Sequence, residues 1–508
     1  MAWWRDPRLR TGAGYFVAWL LVAMPLFVVL FLNSSTVIPV ASHDATVSPT
    51  MDRWVTVHTG PYLPDIRVPS DSFIGVDLTL GKTEAATPEA MVERYAFIAS
   101  QPDAQVEHVR EVIGELALGA AGQAALLAVL PLVLWALVGR RRRHELLGAT
   151  FLRRVLTAGS AGVVALGLVV VIAVRPWADD TAIQNRSVDW QSLPDFLPEL
   201  TIPPEARKVE VAVSATTKGS RRLLMSAVDT YDRSKNFYAD ALEAADEVVV
   251  RQPEEGETVA VIVSDRHDNI GMDRVIRAVA DKGGATAVLD AGDDTSTGEA
   301  WEAFSLDSLN REFAGYDRYA VQGNHDHGSF VGTYLENRGW HTAKQDAFEG
   351  PGGMRMMARN DPRSSGLGTW RDAVGQTIEE VSTDIADVAC AEEERVNLLL
   401  VHDSDMGTDA LARGCVDLVV SGHVHVQVGP DPVTGANSRV GYTYTNGTSG
   451  GAAYAVAVGS KLRRPAQFTL LTISGGRPVG LQPITLQTNG VFVVDPWVPV
   501  TPTTRDRT

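Results

Sequence analysis

Cysteine is nearly missing from this 508-residue chain, which has only Cys390 and Cys415. That count excludes a disulfide-dense scaffold and a cysteine-rich zinc module. The pair reads either as two unrelated buried thiols or as one bridge, the latter if the region faces an oxidising compartment. Positive charge is also in short supply. Lys and Arg total 45 against 62 Asp and Glu, a formal net charge of −17. That balance argues against non-specific nucleic-acid binding, which depends on cationic side chains neutralising phosphates. It also repels other anions unless bound metal ions reverse the local sign. Hydrophobic residues make up 45% and charged residues 21%, so most of the chain can bury a core. The length allows about three domains.

Three apolar runs occupy the first third: Tyr15 to Leu32, Leu116 to Val138 and Val155 to Val174. A hydrocarbon core of about 30 Å needs about 20 such residues as a helix. Buried core helices rarely run this long without a polar face. Arg5, Arg8 and Arg10 precede the first run, Arg140 to Arg143 follow the second, and Arg153 and Arg154 precede the third. Clusters of this kind mark cytoplasmic segments. The reading is a multi-pass cell-membrane protein with a cytoplasmic N-terminus, an outer loop over 33–115 and everything after Arg175 outside. A cleaved signal at the first run would leave that orientation unchanged. Pro88 to Glu93 resembles a helix start. Small residues at Gly119, Ala120 and Gly122 permit close helix packing, which leaves the oligomeric state open.

The expected domains are a membrane region over 1–178, a linker and approach segment over 179–257, a catalytic domain over 258–495 and a disordered tail over 496–508. The approach segment includes a strand-like Val209–Val213 and a helix-like Ser234–Ala245. From Thr258 short β-rich runs alternate with helical stretches. The runs are Val259–Val263, Ala287–Asp290, Tyr319–Val321, Asn397–Val401 and Val416–Val420; the helical stretches include Gly271–Lys282 and Trp370–Ile385. That alternation predicts an α/β domain with internal strands. Later strands at Val440–Thr445, Phe468–Ile473 and Val491–Val494 come without helices and suggest a second sheet.

Polar clusters follow the strand ends: Ser264-Asp265-Arg266-His267-Asp268-Asn269, Gly292-Asp293-Asp294, Gly323-Asn324-His325-Asp326, His402-Asp403 and Gly422-His423-Val424-His425. Each alone is unremarkable, since Gly-Asp is a common turn. The specificity lies in five of them, in this order, each after a hydrophobic strand. Two divalent ions about 3.5–4 Å apart need a bridging oxygen ligand, which a carboxylate supplies and an imidazole does not. Carboxylates with imidazoles suit manganese, iron or zinc. Glycine ahead of three clusters allows close backbone approach. Arg363, in Asp361-Pro362-Arg363, is a candidate phosphate clamp, with an ordinary turn as the simpler reading. Thr448 to Gly451 reads as a substrate-side loop or a flexible turn, and Asp268 and Asp294 as supporting or solvated acids.

These motifs resemble the signature of the calcineurin-like metallophosphoesterase superfamily over roughly Thr258 to Leu486. The resemblance implies a four-layer αββα metallophosphoesterase sandwich, here preceded by three transmembrane helices, and a dinuclear metal centre. One ion would take Asp265, His267 and His425, the other Asn324, His402 and His423, and Asp293 would bridge them. His325 would stand by the leaving group with Asp326 orienting it. A hydroxide bridging the ions would attack phosphorus. Purple acid phosphatases of this superfamily carry a tyrosinate ligand shortly after the bridging Asp. Here Asp294, Thr295 and Ser296 follow Asp293, so a purple ferric site is not expected. The implied activity is hydrolysis of phosphate monoesters or diesters, with lipid-linked or cell-envelope phosphates as candidate substrates. The alternative is a metal-loaded but inactive sensing or docking domain, which the intact set of ligands and His325 disfavours. Three spans without an intramembrane charge offer no ion path.

Overall fold

The computed structural model describes residues 7–40, 43–59, 64–70, 72–81, 103–139, 141, 143, 189–198, 202, 204–213, 217–366, 369–372, 375–452 and 461–503. The chain divides into two compact units. One comprises Met1–Ile38, Asp44–Lys82 and Glu107–Arg221, the other Pro39–His43, Thr83–Val106 and Arg222–Thr508.

In the first unit, two helical stretches are long and apolar enough to cross a membrane, Thr11–Leu32 and Gln105–Leu137. Trp19 Nε1 donates to the carbonyl of Ala125 at 3.0 Å and ties them together. The third apolar run and the helix start at Pro88 lie outside the described residues. Between the two helical stretches the described residues form strands. Of these, His43–Thr50, Gly75–Leu80, Trp54–His58 and Ile66–Pro69 follow one another across a sheet that Glu210–Val213 and Asp189–Ser192 complete. Residues 189–213, expected to belong to a linker and approach segment, thus supply two strands of this sheet. Ile66 pairs with Val211 and Arg67 with Glu210. The Arg67 guanidinium lies between the rings of Trp54 and Trp190, 4.2 and 4.3 Å from their centroids, and pairs with Glu210. Cation–π contact on both faces plus an ion pair makes this a firm cross-strand clasp.

The second unit has the four expected layers. One sheet runs Asp317–Ala320, Ala285–Asp290, Glu257–Val263, Ala466–Ser474, Arg477–Leu486, Phe492–Val494; the other runs Lys344–Glu349, Arg355–Ala358, Val396–Leu400, Val416–Ser421, Val440–Thr445, Val428–Thr434. Ala260, Ile262 and Leu289 of the first sheet share one buried core with Leu398, Leu400 and Leu418 of the second. The outer face of the first sheet packs on Gly271–Lys282 and Ala303–Glu312, and that of the second on Ile378–Ala391 and Thr408–Arg413. Gly271–Lys282 buries Met272, Val275, Ile276, Val279 and Ala280, the i, i+3, i+4 spacing of an amphipathic helix. Both faces of the central strands are covered, which is why they read as continuous apolar runs.

Three expectations fail in this unit. The later strands form no sheet of their own: Val440–Thr445 pairs with Val416–Ser421 in one sheet, and Ala466–Ser474 with Glu257–Val263 in the other. The helix expected over Trp370–Ile385 begins at Ile378, behind a capping box between Thr377 and Glu380. Residues Thr369–Asp372 instead pair with Arg363–Gly366 as a hairpin, and Gly375, at φ 72°, breaks the chain between hairpin and helix. The tail expected to be disordered from 496 adds a strand, Val498–Pro499, against Gly480–Leu481, and buries Val500 in the inter-sheet core. Its apolar valines outweigh its proline content.

Candidate metal centre

Val263 and Asp290 end one parallel pair of strands, and Leu400 and Ser421 end another, so the loops that follow each pair emerge at one edge of its sheet, the usual site position in such sheets. The approach is close. A Cβ at Gly422 would lie 2.5 Å from Asp265 Oδ2, and one at Gly323 would collide with the Asp293 carboxylate. Among the described residues, eight non-glycine residues have positive φ, and six belong to these loops: Asp265, His267, Asp268, Asp293, His423 and His425. Such backbone costs about 1–3 kcal/mol per residue and persists where the surroundings over-determine it, most often at functional sites.

Side chains from four of the loops converge. Asp265, His267 and His425 form one group whose ligand atoms all lie within 4.8 Å of one another; Asp265, Asp293 and His402 form a second. Asp293 Oδ2 lies 3.7 Å from His267 Nε2 and 3.2 Å from His402 Nε2, between the two sets of imidazoles. His423 is held beside Asp265 by its backbone N–H, 3.0 Å from Oδ2, and its ring stands edge-on to that of His402, with centroids 5.2 Å apart. Asn324 is 2% exposed and its Oδ1 has no hydrogen-bond partner.

The donor set fits divalent cations. His402 Nδ1 donates to the Ala291 carbonyl at 2.7 Å and His425 Nδ1 to that of Ala452 at 3.2 Å. A carbonyl only accepts, so in the neutral form both rings turn an Nε2 lone pair inward. Those lone pairs face carboxylate oxygens, His402 toward Asp293 and His425 toward Asp265, each at 3.2 Å. Two facing acceptors need a cation, either a proton or a metal ion. Buried His402 Nε2, His267 Nδ1 and Asn324 Oδ1 lack hydrogen bonds, a cost the interior tolerates only where something else satisfies them. Asp265, His267, Asp293, Asn324, His402, His423 and His425 could hold two such ions.

The electrostatics follow. Burial lowers the His267 pKa to about 4, so this imidazole is neutral and ready to ligate. Burial also works against charge on His402, but Asp293 wins and holds its pKa well above the ordinary value. Burial would push Asp293 up, and His402 with the other imidazoles holds it far below the carboxylate range. Burial lowers His423, while the Asp265 carboxylate raises His425 against its burial.

His325 is 8% exposed, its backbone N–H donates to Asp293 Oδ1 at 2.8 Å, and its ring stands edge-on to His267. Its orientation comes from the Ser296 carbonyl, 2.9 Å from Nδ1, rather than from Asp326 as the resemblance implied. The Asp326 carboxylate instead accepts from the N–H groups of Gly323, Asp294 and Thr295 and from the Thr295 hydroxyl, which locks two loops together. Burial, with Asp294 and Asp293 nearby, pushes it up to about 7. The Arg363 guanidinium is shared by Asp361 at 2.6 Å and Asp403 at 2.7 Å, and Asp403 lies 3.6 Å from His423 Nε2. Thr448 and Ser449 back the first loop, Thr448 Oγ1 donating to the Asp265 carbonyl and Ser449 N to that of Ser264. Asp268 accepts from the Ser296 hydroxyl.

Sequence reasoning passed over Arg266. It is fully buried between two ligands, bidentate to Asp273 at 2.9 and 2.7 Å and bonded to Asp294 at 2.9 Å. Its Nη1 also reaches the Ser305 hydroxyl. One side chain thereby joins the first loop, the second loop and two helices.

Residues 259–446 match the family model described as "Calcineurin-like phosphoesterase superfamily domain". The match covers less than half of the chain and supports a hydrolase. No curated protein matches the chain. Among solved structures, it is similar to a novel archaeal phosphodiesterase at 14% identity, over 45% of this chain and all of that one, with a TM-score of 0.29. It is also similar to a purple acid phosphatase from yellow lupin (Lupinus luteus) seeds at 13% identity, over 48% of this chain and 54% of that one, with a TM-score of 0.30.

Proposed function

We propose that this chain is a membrane-anchored, extracytoplasmic phosphoesterase that uses two divalent ions, manganese, zinc or iron. The observation that carries the reading is the pair of facing acceptors, His402 against Asp293 and His425 against Asp265, each at 3.2 Å. Bound ions would supply a nucleophilic oxygen near neutral pH and Lewis acidity toward the phosphoryl oxygens. Asp265 and Asp293 contribute two negative charges beneath them, so net positive charge remains to hold a phosphate despite the acidic chain. His325, fixed at Nδ1, offers Nε2 as the proton-carrying atom for a leaving oxygen. Asp326 keeps the His325 and Asp293 loops in register.

Two observations support the location. The strand Ile66–Pro69 precedes the second apolar helix and its partner Glu210–Val213 follows the third apolar run. Strands of one sheet share a compartment, so an even number of crossings separates them, which accords with spans at both runs. Cys390 and Cys415 are joined in a disulfide, as suits an oxidising compartment. From the outer face, lipid-linked or cell-envelope phosphoesters are within reach.

The test is hydrolysis of para-nitrophenyl phosphate and bis-para-nitrophenyl phosphate by purified protein, with EDTA and with manganese or zinc restored, beside Asp293→Ala and His325→Ala. Metal-restored turnover abolished by Asp293→Ala is expected, and the preferred reporter separates monoester from diester. Stoichiometric metal binding without turnover on either would move the weight to the docking reading.

A further inference from the structure

The exposed apolar surface of the phosphoesterase domain is concentrated at the metal centre. Among the described residues from Glu257 to Val494, the large hydrophobics left exposed are Val424 at 53%, Val426 at 58%, Val428 at 48%, Val491 at 54% and Val493 at 43%. Three of the five fall within the six-residue segment that carries His423 and His425. Single exposed hydrophobics are ordinary; a contiguous set marks a binding surface.

The valines are held outward. They alternate with His423, His425 and Gln427, which are partly buried. His423 N donates to Asp265, His425 Nδ1 to the Ala452 carbonyl, and Gln427 accepts from Gln467 at 2.6 Å. The positive φ of His423 and His425, 74° and 60°, fixes the backbone on either side of Val424. Two exposed cationic residues, Lys461 and Arg464, lie on the segment that returns to this loop, where Arg464 N donates to the Gly451 carbonyl next to Ala452. A run of exposed valines thus begins at the metal-binding loop itself.

We infer that the substrate is an amphipathic phosphoester, its phosphoryl group at the His423–His425 end and its hydrocarbon chain lying along Val424, Val426 and Val428. This rests on the phosphoesterase reading and adds the substrate class. An alkyl chain on this strip removes apolar surface from water on both partners, and half-burial of each methylene gives about twofold in affinity. A polar sugar or nucleoside gains nothing from three valines.

The test uses full-length, metal-loaded protein in nanodiscs and the water-soluble alkyl phosphates from methyl to octyl, titrated calorimetrically with empty nanodiscs subtracted. Affinity should rise about sixteenfold from butyl to octyl phosphate, twofold for each of the four added methylenes. The double variant Val426→Ser/Val428→Ser, exposed positions whose change leaves the core intact, should flatten that slope. Methyl phosphate binding with no chain-length dependence would overturn the inference and leave the phosphoesterase reading standing; that result would also follow if the valines met only the membrane surface. A slope unchanged in the double variant would overturn the assigned strip. No binding by any member, with no hydrolysis of the nitrophenyl esters, would overturn the phosphoesterase reading and this inference together.

Discussion

His267 and His425, separated by 158 positions, bring their Nε2 atoms to 3.1 Å. With Nδ1 of His425 committed to the Ala452 carbonyl, the two ring nitrogens meet as ligands of one ion would. In the metal-free protein Asp293 raises the His402 pKa well above its ordinary value against the effect of burial, and Asp265 raises that of His425, so both favour a bound proton. A metal must displace that proton. Metal uptake near neutral pH should therefore release protons, and apparent affinity should climb as pH rises. Calorimetry in buffers of different ionisation enthalpy measures the release. His425→Ala should weaken binding at least about tenfold; unchanged affinity would remove His425 from the ligand set.

Arg266 is the buried ionic hub under the first two loops. Replacing it with Met leaves Asp273 and Asp294 buried without their partner, at a cost of about 3–5 kcal/mol. Lys should not restore stability, because an ammonium cannot make the bidentate contact with Asp273. Denaturant midpoints of the three proteins check this, and a Lys variant equal to wild type would refute the bidentate role.

In the first unit, His58 lies 2.8 Å from both Asp65 and Asp77. The hydrogen bond to Asp65, then that to Asp77, raises its pKa to about 10. A raised histidine stabilises the fold fully below its unfolded value of about 6.5, and the contribution disappears as pH climbs toward 10. Thermal stability should decline across that window, and His58→Gln should flatten the decline. An identical pH slope in the variant would show that another group sets it.

The Cys390–Cys415 bridge spans a sequence separation of 25. Its loss through Cys390→Ser/Cys415→Ser should cost about 3 kcal/mol, chiefly by freeing the unfolded chain. Urea unfolding with and without reductant measures this. A protein purified with both thiols free would argue against an oxidising compartment.

The site was legible because its chemistry fixes residue types at strand ends: a ligand that is to bridge two ions must offer a carboxylate, as Asp293 can, and only glycine at position 422 admits the Asp265 carboxylate. Arg266 was illegible because its partners Asp273 and Asp294 lie 7 and 28 residues on, and a loop arginine reads as solvated. The resemblance made Asp326 the orienting partner of His325, whereas folding turns its carboxylate toward the backbone of another loop. The sheet of the first unit escaped notice because Ile66–Pro69 and Glu210–Val213 are short, and each is only half of a pairing made across two apolar runs.

That pairing has a consequence in time. Arg67 meets Glu210 143 residues later. At about 5–20 residues per second, synthesis leaves Ile66–Pro69 without this neighbour for roughly 7–30 seconds. An open strand edge is a template for wrong partners. Under the proposed topology these first strands wait, unfinished, until both intervening apolar runs have crossed and returned. A fault in inserting either run would then leave that edge on the wrong side from its complement, so misinserted chains should be marked by an incomplete sheet.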